Sequence, residues 1–436
     1  MASHLISFVG TGNYETCRYA YQGKTSQPYR YVQAALFEIL EPLMMGNTRV
    51  SLFLTQQAKA KHWEGNGLSR VLGQQFPYLQ INPIDIPEGK SPEELWQIFH
   101  IIYSQLNEHE TIFVDITHSF RSLPMFGIAL LSYARTLKQI QVGGIFYGSI
   151  ETLGPLSTIK DIPIEKRIAP IFDLTSVYSL LEWSTAVHLF LRTGRADELA
   201  DIVNTNLKPI LSDTNKHSLE VIEAKKLAEK LKTISLDLLT NRGEEIRAGQ
   251  NFYQIHKVFS ELQGKKLTLK PMEPLLERIG EKISGFRFND IRNNYRAVEW
   301  CIQHGWIQQG ITQLQETIIT HMLELLQENS NNCSDKEKVK KREIVSSVFH
   351  AKNNPVAQYV YVDCEKKDPH LAKRIDEHPF CEVAYLPFNK LRDHRNDINH
   401  SGFVEQNKAS NFQTQLISVF HEFKQRYKDR FKKDLY

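Results

Sequence analysis

A chain of 436 residues, 41% hydrophobic and 24% charged, has an ordinary globular composition and the length for two or three domains. A formal charge of +3 excludes a uniformly basic coat for nucleic acid, so any basic surface must be local. Five cysteines without CxxC spacing argue against a disulfide framework or a thiolate zinc site, no apolar run reaches the ~20 residues that span a bilayer, and the opening MASHLISFVG does not read as a signal peptide, so a cytosolic protein with no membrane role is expected.

In chain order, the first third alternates short strands with helices. LISFVG (5–10), RVSLFLT (49–55), LQINPIDI (79–86), TIFVDIT (111–117) and VGGIFYGS (142–149) are β-branched or aromatic runs bounded by turn residues. Helical stretches lie between them: YVQAALFEILEPLM (31–44), SPEELWQIFHIIYSQLNE (91–108) and LPMFGIALLSYARTLKQI (123–140). Ser91 is placed to cap the second, with Pro92 at its first position and Glu94 three residues after the cap. TCRYAYQGKTSQPYRYV (16–32) reads as a β-hairpin turning at Gln22–Ser26, inserted before the first helix. Such alternation predicts an α/β domain, a parallel sheet covered on both faces, ending near residue 166. From about residue 173 the pattern is helical throughout. Helices are expected at 177–194, 197–205, 217–240, 243–262, 270–282, 288–309, 310–328 and about 408–432, which makes this part all-α. The polar stretch 329–343 reads as an exposed loop or a loop-proximal helix, within a long charged insertion near 329–355.

Three constellations suit chemistry. In FVGTGNYE (8–15), Gly10 and Gly12 let a ligand approach the backbone at a strand end, where open α/β sheets bind nucleotides. Glu15 stands where a dinucleotide fingerprint has its third glycine, which disfavours that cofactor; a plain tight turn is the alternative. In VDITHSFRSLPM (114–125), Thr117, His118, Ser119, Arg121 and Ser122 lie between a strand and a helix. Hydroxyls, backbone N–H groups and a guanidinium there suit an anion, or else ordinary helix capping. HRNDINHSG (394–402) places Arg395 and His400 in an R-x4-H spacing among poor helix formers. If helical, Asn396 and His400 share a face, with Arg395 ~100° round from Asn396. An imidazole that moves protons and a guanidinium that holds phosphate suit metal-free RNA cleavage through the 2′-hydroxyl. A merely polar helix surface is the alternative, and His394 with His400 makes a poor metal pair. FKQRYKDRFKK (423–433) reads as an amphipathic helix with Phe423, Tyr427 and Phe431 inward and its basic residues outward, where they contribute to RNA affinity.

GTGNYE, DITHSFRSLP and RNDINH occur in an order that resembles the CARF–HEPN ribonucleases accompanying type III CRISPR systems, and AVHLFLRTGRADELADIV (186–203) is similar to that family's linker region. The resemblance covers most of the chain. It implies a Rossmann-like CARF domain over 1–166, a helical linker region over 167–285 and a helical HEPN domain over 286–436. It implies a site for cyclic oligoadenylate, tetra-adenylate favoured, across the two-fold axis of paired CARF domains. Gly10, Thr11, Gly12, Asn13 and Tyr14 would line one part of it, and Thr117, His118, Ser119, Arg121 and Ser122 the other. Arg395, Asn396 and His400 would form half of a composite nuclease site, completed by a second subunit of a homodimer or higher homo-oligomer. That site would cut single-stranded RNA to a 2′,3′-cyclic phosphate, with neither metal nor cofactor. A non-catalytic regulator that binds cyclic oligoadenylate and nucleic acid is the second reading, although 217–262 shows no concentrated base-reading face. His118 and Ser119 leave open degradation of the cyclic ligand.

Overall fold

The structure is a computed structural model that describes residues 2–41, 48–65, 67–118, 123–211, 219–262, 273–328, 334–354, 367–403 and 408–436. The chain divides into two compact units, Met1–Leu181 and Glu182–Tyr436.

The strands of the first unit are β1 (Ser3–Val9), β2 (Arg18–Tyr21), β3 (Lys24–Thr25), β4 (Thr48–Leu54), β5 (Gln80–Asp85), β6 (Thr111–Asp115), β7 (Gln141–Gly148) and β8 (Ile168–Asp173). They form one sheet in the order β3-β2-β8-β7-β6-β1-β4-β5. The expected parallel core is present, since β1 pairs in parallel with β4 and β6, and β4–β5 and β6–β7 follow suit. The whole sheet is nevertheless mixed, because β7–β8 and β2–β3 are antiparallel. It also runs past residue 166: β8 pairs with β7 and with β2. Pro170 hides that strand, because proline lacks the N–H that a sheet ladder uses. The hairpin forms with a tighter turn than expected, at Gln22 and Gly23, whose φ values of 47° and 79° match a two-residue hairpin.

β1 is buried along its whole length, as a strand covered on both faces must be. Leu5 and Val9 pack with Val32, Leu36 and Leu40 of the helix Val32–Leu40. Ile6 and Phe8 pack on the other side with Ile98 and Ile102 of the helix Pro92–Gln105 and with Leu130 and Leu131 of the helix Leu123–Lys138. Ser91 caps Pro92–Gln105 by accepting from the Glu94 N–H at 3.2 Å. The chain builds outward from β1 through β4 to β5, then returns to lay β6 on the opposite side of β1. That reversal opens a crevice at the carboxyl ends of β1 and β6.

Among its described residues the second unit is all-α. Its core joins Arg292–His304, Ile307–Leu325, Asp335–Ala351, Pro369–Glu377, Pro379–Asn399 and Ala409–Phe431. Asp335–Ala351 corrects the expectation of a charged insertion over 329–355. Its first residues are exposed Lys, Glu and Asp, but Ile344, Val345, Val348 and Phe349 are buried in the main core. The charge run is the outer end of a core helix. Pro369–Glu377 and Pro379–Asn399 were not expected either. Pro387 lies inside the second, and a proline reads as a break. HRNDINHSG therefore closes a helix rather than opening one. In the terminal helix Phe423 and Tyr427 are buried and Phe431 packs beside them, as the four-residue spacing predicts. Among the described residues no helix is long and apolar enough to cross a membrane.

Candidate functional site

In the first unit the segment after β1 folds against two neighbouring strand ends. The Tyr14 ring lies between those of His62 and His118, with centroids 4.4 and 4.2 Å away and interplanar angles of 27° and 26°. The Tyr14 hydroxyl donates to the Gly10 carbonyl at 2.7 Å. Gly10 passes close beneath the next loop: a Cβ there would stand 3.2 Å from the His118 carbonyl oxygen. Lys61 donates to the Thr11 carbonyl at 2.8 Å and to the Asn13 side-chain oxygen at 2.9 Å. His62 Nε2 lies 2.8 Å from the Gly12 carbonyl, which can only accept, so that nitrogen carries the proton. His62 Nδ1 is buried with no partner among the described residues. Gly10 through Tyr14 are thereby gathered with His118, at the crevice the sheet order predicts.

Lys61 and His62 belong to no motif. They lie on a short π-helical turn, Lys59–Trp63, just after β4, the strand beside β1. Position at the carboxyl end of an adjacent strand is the one signal that could have found them. π-helical turns recur at functional sites.

The loop after β6 is fixed from beneath. Asp115, fully buried, accepts from Ser7 Oγ at 2.6 Å, from the Thr117 N–H at 2.9 Å and from Thr117 Oγ at 2.5 Å. Thr117 Oγ accepts in turn from the Gly148 N–H at 2.8 Å. Burial pushes the Asp115 carboxyl up, against the hydrogen bonds from Ser7 and Thr117. Burial, helped by His62, pushes His118 down to about 4, and burial also lowers His62. Both imidazoles are uncharged at neutral pH. Tyr14 has a ring on each face and His62 is buried, so the half-buried His118 is the ring of this stack placed to meet a base, while the exposed Lys61 supplies a cation for phosphate. Ser119, Arg121 and Ser122 lie outside the described residues.

In the second unit the helix Pro379–Asn399 ends with the His400 N–H on the Asn396 carbonyl at 2.9 Å and the Gly402 N–H on the Asp397 carbonyl at 3.1 Å. Ser401 and Gly402 are left-handed, with φ of 53° and 71°, which stops the helix. Asn396 and His400 are exposed there, one turn apart. Arg395 is half-buried and held on the neighbouring helix Ile307–Leu325: it donates to Gln315 Oε1 at 3.2 Å and pairs with Glu316 at 3.3 Å. Glu316 also pairs with Arg342 at 2.5 Å and lines a cleft of about 750 Å³. The cations of that cleft face carboxylates: Arg247 meets Glu244 and Glu324, Lys341 meets Glu328, and Lys338 meets Asp335. It therefore offers a polyanion little net attraction. Among the described residues no cluster of three or more His, Cys, Asp or Glu is placed to hold a metal.

The family model for the second domain of CRISPR-associated protein MJ1674 matches residues 179–287. CRISPR-associated protein MJ1674 of Methanocaldococcus jannaschii is 22% identical over 342 residues, covering 78% of this chain and 45% of that protein. The chain is similar to CRISPR-associated proteins. The matched domain falls on the helices between the α/β sheet and the core that carries Arg395 and His400. The match spans less than half of the archaeal protein's length.

Proposed function

We propose that the chain is an endoribonuclease of the CARF–HEPN kind, activated by a cyclic oligoadenylate bound to the first unit. The observation that carries this reading is the helix end at 395–400, where an exposed imidazole and an exposed amide lie one turn apart beside Arg395. The similarity to a CRISPR-associated protein supports it. His400 takes the proton of an RNA 2′-hydroxyl as that oxygen attacks the adjacent phosphorus. The bond to the 5′-oxygen breaks, that oxygen leaves with a proton from the counterpart imidazole of a second copy, and a 2′,3′-cyclic phosphate remains. Arg395, released from Glu316, stabilises the charge on the non-bridging oxygens, and Asn396 orients the phosphate. DNA lacks the nucleophile. In the first unit the outer ring of the stack, His118, suits an adenine face and Lys61 suits phosphate. The ring activates by binding the cutting-competent form more tightly than the resting one.

The test incubates labelled single-stranded RNA and the matching DNA with the protein, with and without cyclic oligoadenylates of several ring sizes. RNA alone should be cut, only with a ring present and equally well with a chelator. An RNA left whole by every ring size overturns the reading.

A further inference from the structure

The helix Pro379–Asn399 carries a second arginine that the mechanism above does not use. Arg392 lies one turn before Asn396 and two before His400, so the three fall on one side of the helix. It is half-buried, and its Nη1 bonds to Nδ1 of His350 at the end of the helix Asp335–Ala351. A guanidinium has only donors, so Nδ1 accepts and the ring is neutral while the bond lasts. Burial, and then the charge of Arg392 itself, lower the proton affinity of His350.

The contrast with nearby arginines is one of charge. Arg395 and Arg342 face Glu316 at 3.3 and 2.5 Å, Arg374 faces Glu328 at 2.5 Å, and Arg426 faces Glu422 at 3.0 Å. Among the described residues Arg392 forms no ion pair with a carboxylate; its partner is an imidazole lone pair. That bond orients the guanidinium with no ion-paired carboxylate, and among the described residues its other N–H groups have no hydrogen-bond partner.

We propose that Arg392, seated on His350, binds the phosphate of the RNA strand next to the one that is cut. The proposal rests on the nuclease reading above and adds a substrate contact to it. A phosphodiester presents two non-bridging oxygens, which a fixed guanidinium takes together. Arg392 acts in holding the strand, leaving the chemical step to Arg395 and His400.

The experiment separates holding from cutting, on the 436-residue chain. A fluorescent single-stranded RNA is titrated with His400→Ala and with His400→Ala/Arg392→Ala over a range of salt. The double variant should bind about tenfold more weakly, the loss of one charged contact. Its slope of log affinity on log salt should be shallower by about 0.7, the share of one single-strand phosphate. Arg392→Lys should keep the slope. In the cutting-competent chain with cyclic tetra-adenylate, Arg392→Ala should raise KM about tenfold and leave kcat within about threefold. An unchanged salt slope, or a fall in kcat with KM unmoved, overturns the proposal and spares the nuclease. A protein that shows the slope difference yet leaves RNA whole with every ring size upholds the phosphate contact and overturns the nuclease reading. RNA that none of these proteins binds overturns both.

Discussion

Arg395 sits between Gln315 and Glu316, and the Glu316 carboxylate competes with a phosphate for its charge. The pair is partly exposed, at 35% and 37% for the two side chains, and such pairs contribute only ~1 kcal/mol or less. Glu316→Gln should therefore raise RNA cleavage at limiting activator by a few-fold, not by orders of magnitude, whereas Arg395→Ala should lower kcat by about 10²–10³. Initial rates across an activator titration check both, and slower cleavage by Glu316→Gln would mean that the carboxylate positions the arginine for catalysis. Side chains of this kind also mark where sequence reading stops. Gly10–Tyr14 and Thr117–His118 are legible because each follows a strand directly. Lys61 and His62 meet the first loop from 50 residues away, and Gln315 meets Arg395 across 80. No local pattern encodes such a meeting; the sheet order and the helix packing create it.

Among the elements, the helix Leu123–Lys138 is the next in the chain after Thr117 and His118, and part of it is loosely supported. Gly127 lies in its interior, a Cβ there would meet nothing within 4 Å, and the residue borders an apolar cavity of about 140 Å³ walled by Ile6, Phe8, Val114 and Leu131. Gly127→Ala should stabilise this helix by ~1 kcal/mol through backbone entropy and propensity. Thermal unfolding of the first unit should then shift up by roughly 2–4 °C. A lower midpoint would show that the helix needs the glycine for close packing. Elements with undisturbed periodicity, such as β1, β4 and Pro92–Gln105, are legible from sequence. Those hidden from it share one physical cause, a residue whose local preference opposes what packing enforces. Proline masks β8 and Pro379–Asn399, and the Lys- and Glu-rich first turns of Asp335–Ala351 mask the apolar residues that bury its second half.

For the molecule as a whole, buried imidazoles set the response to acid. Burial holds His4, His118 and His321 near a pKa of about 4, against 6.5 for a free side chain. Between these values the unfolded chain takes up protons that the folded chain refuses, so stability is complete above about pH 6.5 and falls as the pH drops toward 4. His321 is 8% exposed and bonded to the Tyr295 hydroxyl at 2.8 Å, and its share is at most ~3 kcal/mol. The melting midpoint should fall between pH 6.5 and 5, less steeply in His321→Gln; equal slopes would contradict that assignment. Function at this scale rests on two units joined in one chain, the first gathering Gly10–Tyr14 with Lys61, His62 and His118, the second exposing Asn396 and His400 beside Arg395. The most direct measurement is cleavage of a labelled single-stranded RNA by the native protein and by His400→Ala, with and without cyclic tetra-adenylate, alongside binding of that ring to both proteins. The native protein should cut only with the ring and leave a 2′,3′-cyclic phosphate, while His400→Ala binds the ring equally well and cuts nothing. Cleavage by His400→Ala at the native rate, or ring binding lost together with cleavage, would contradict a nuclease centred on His400.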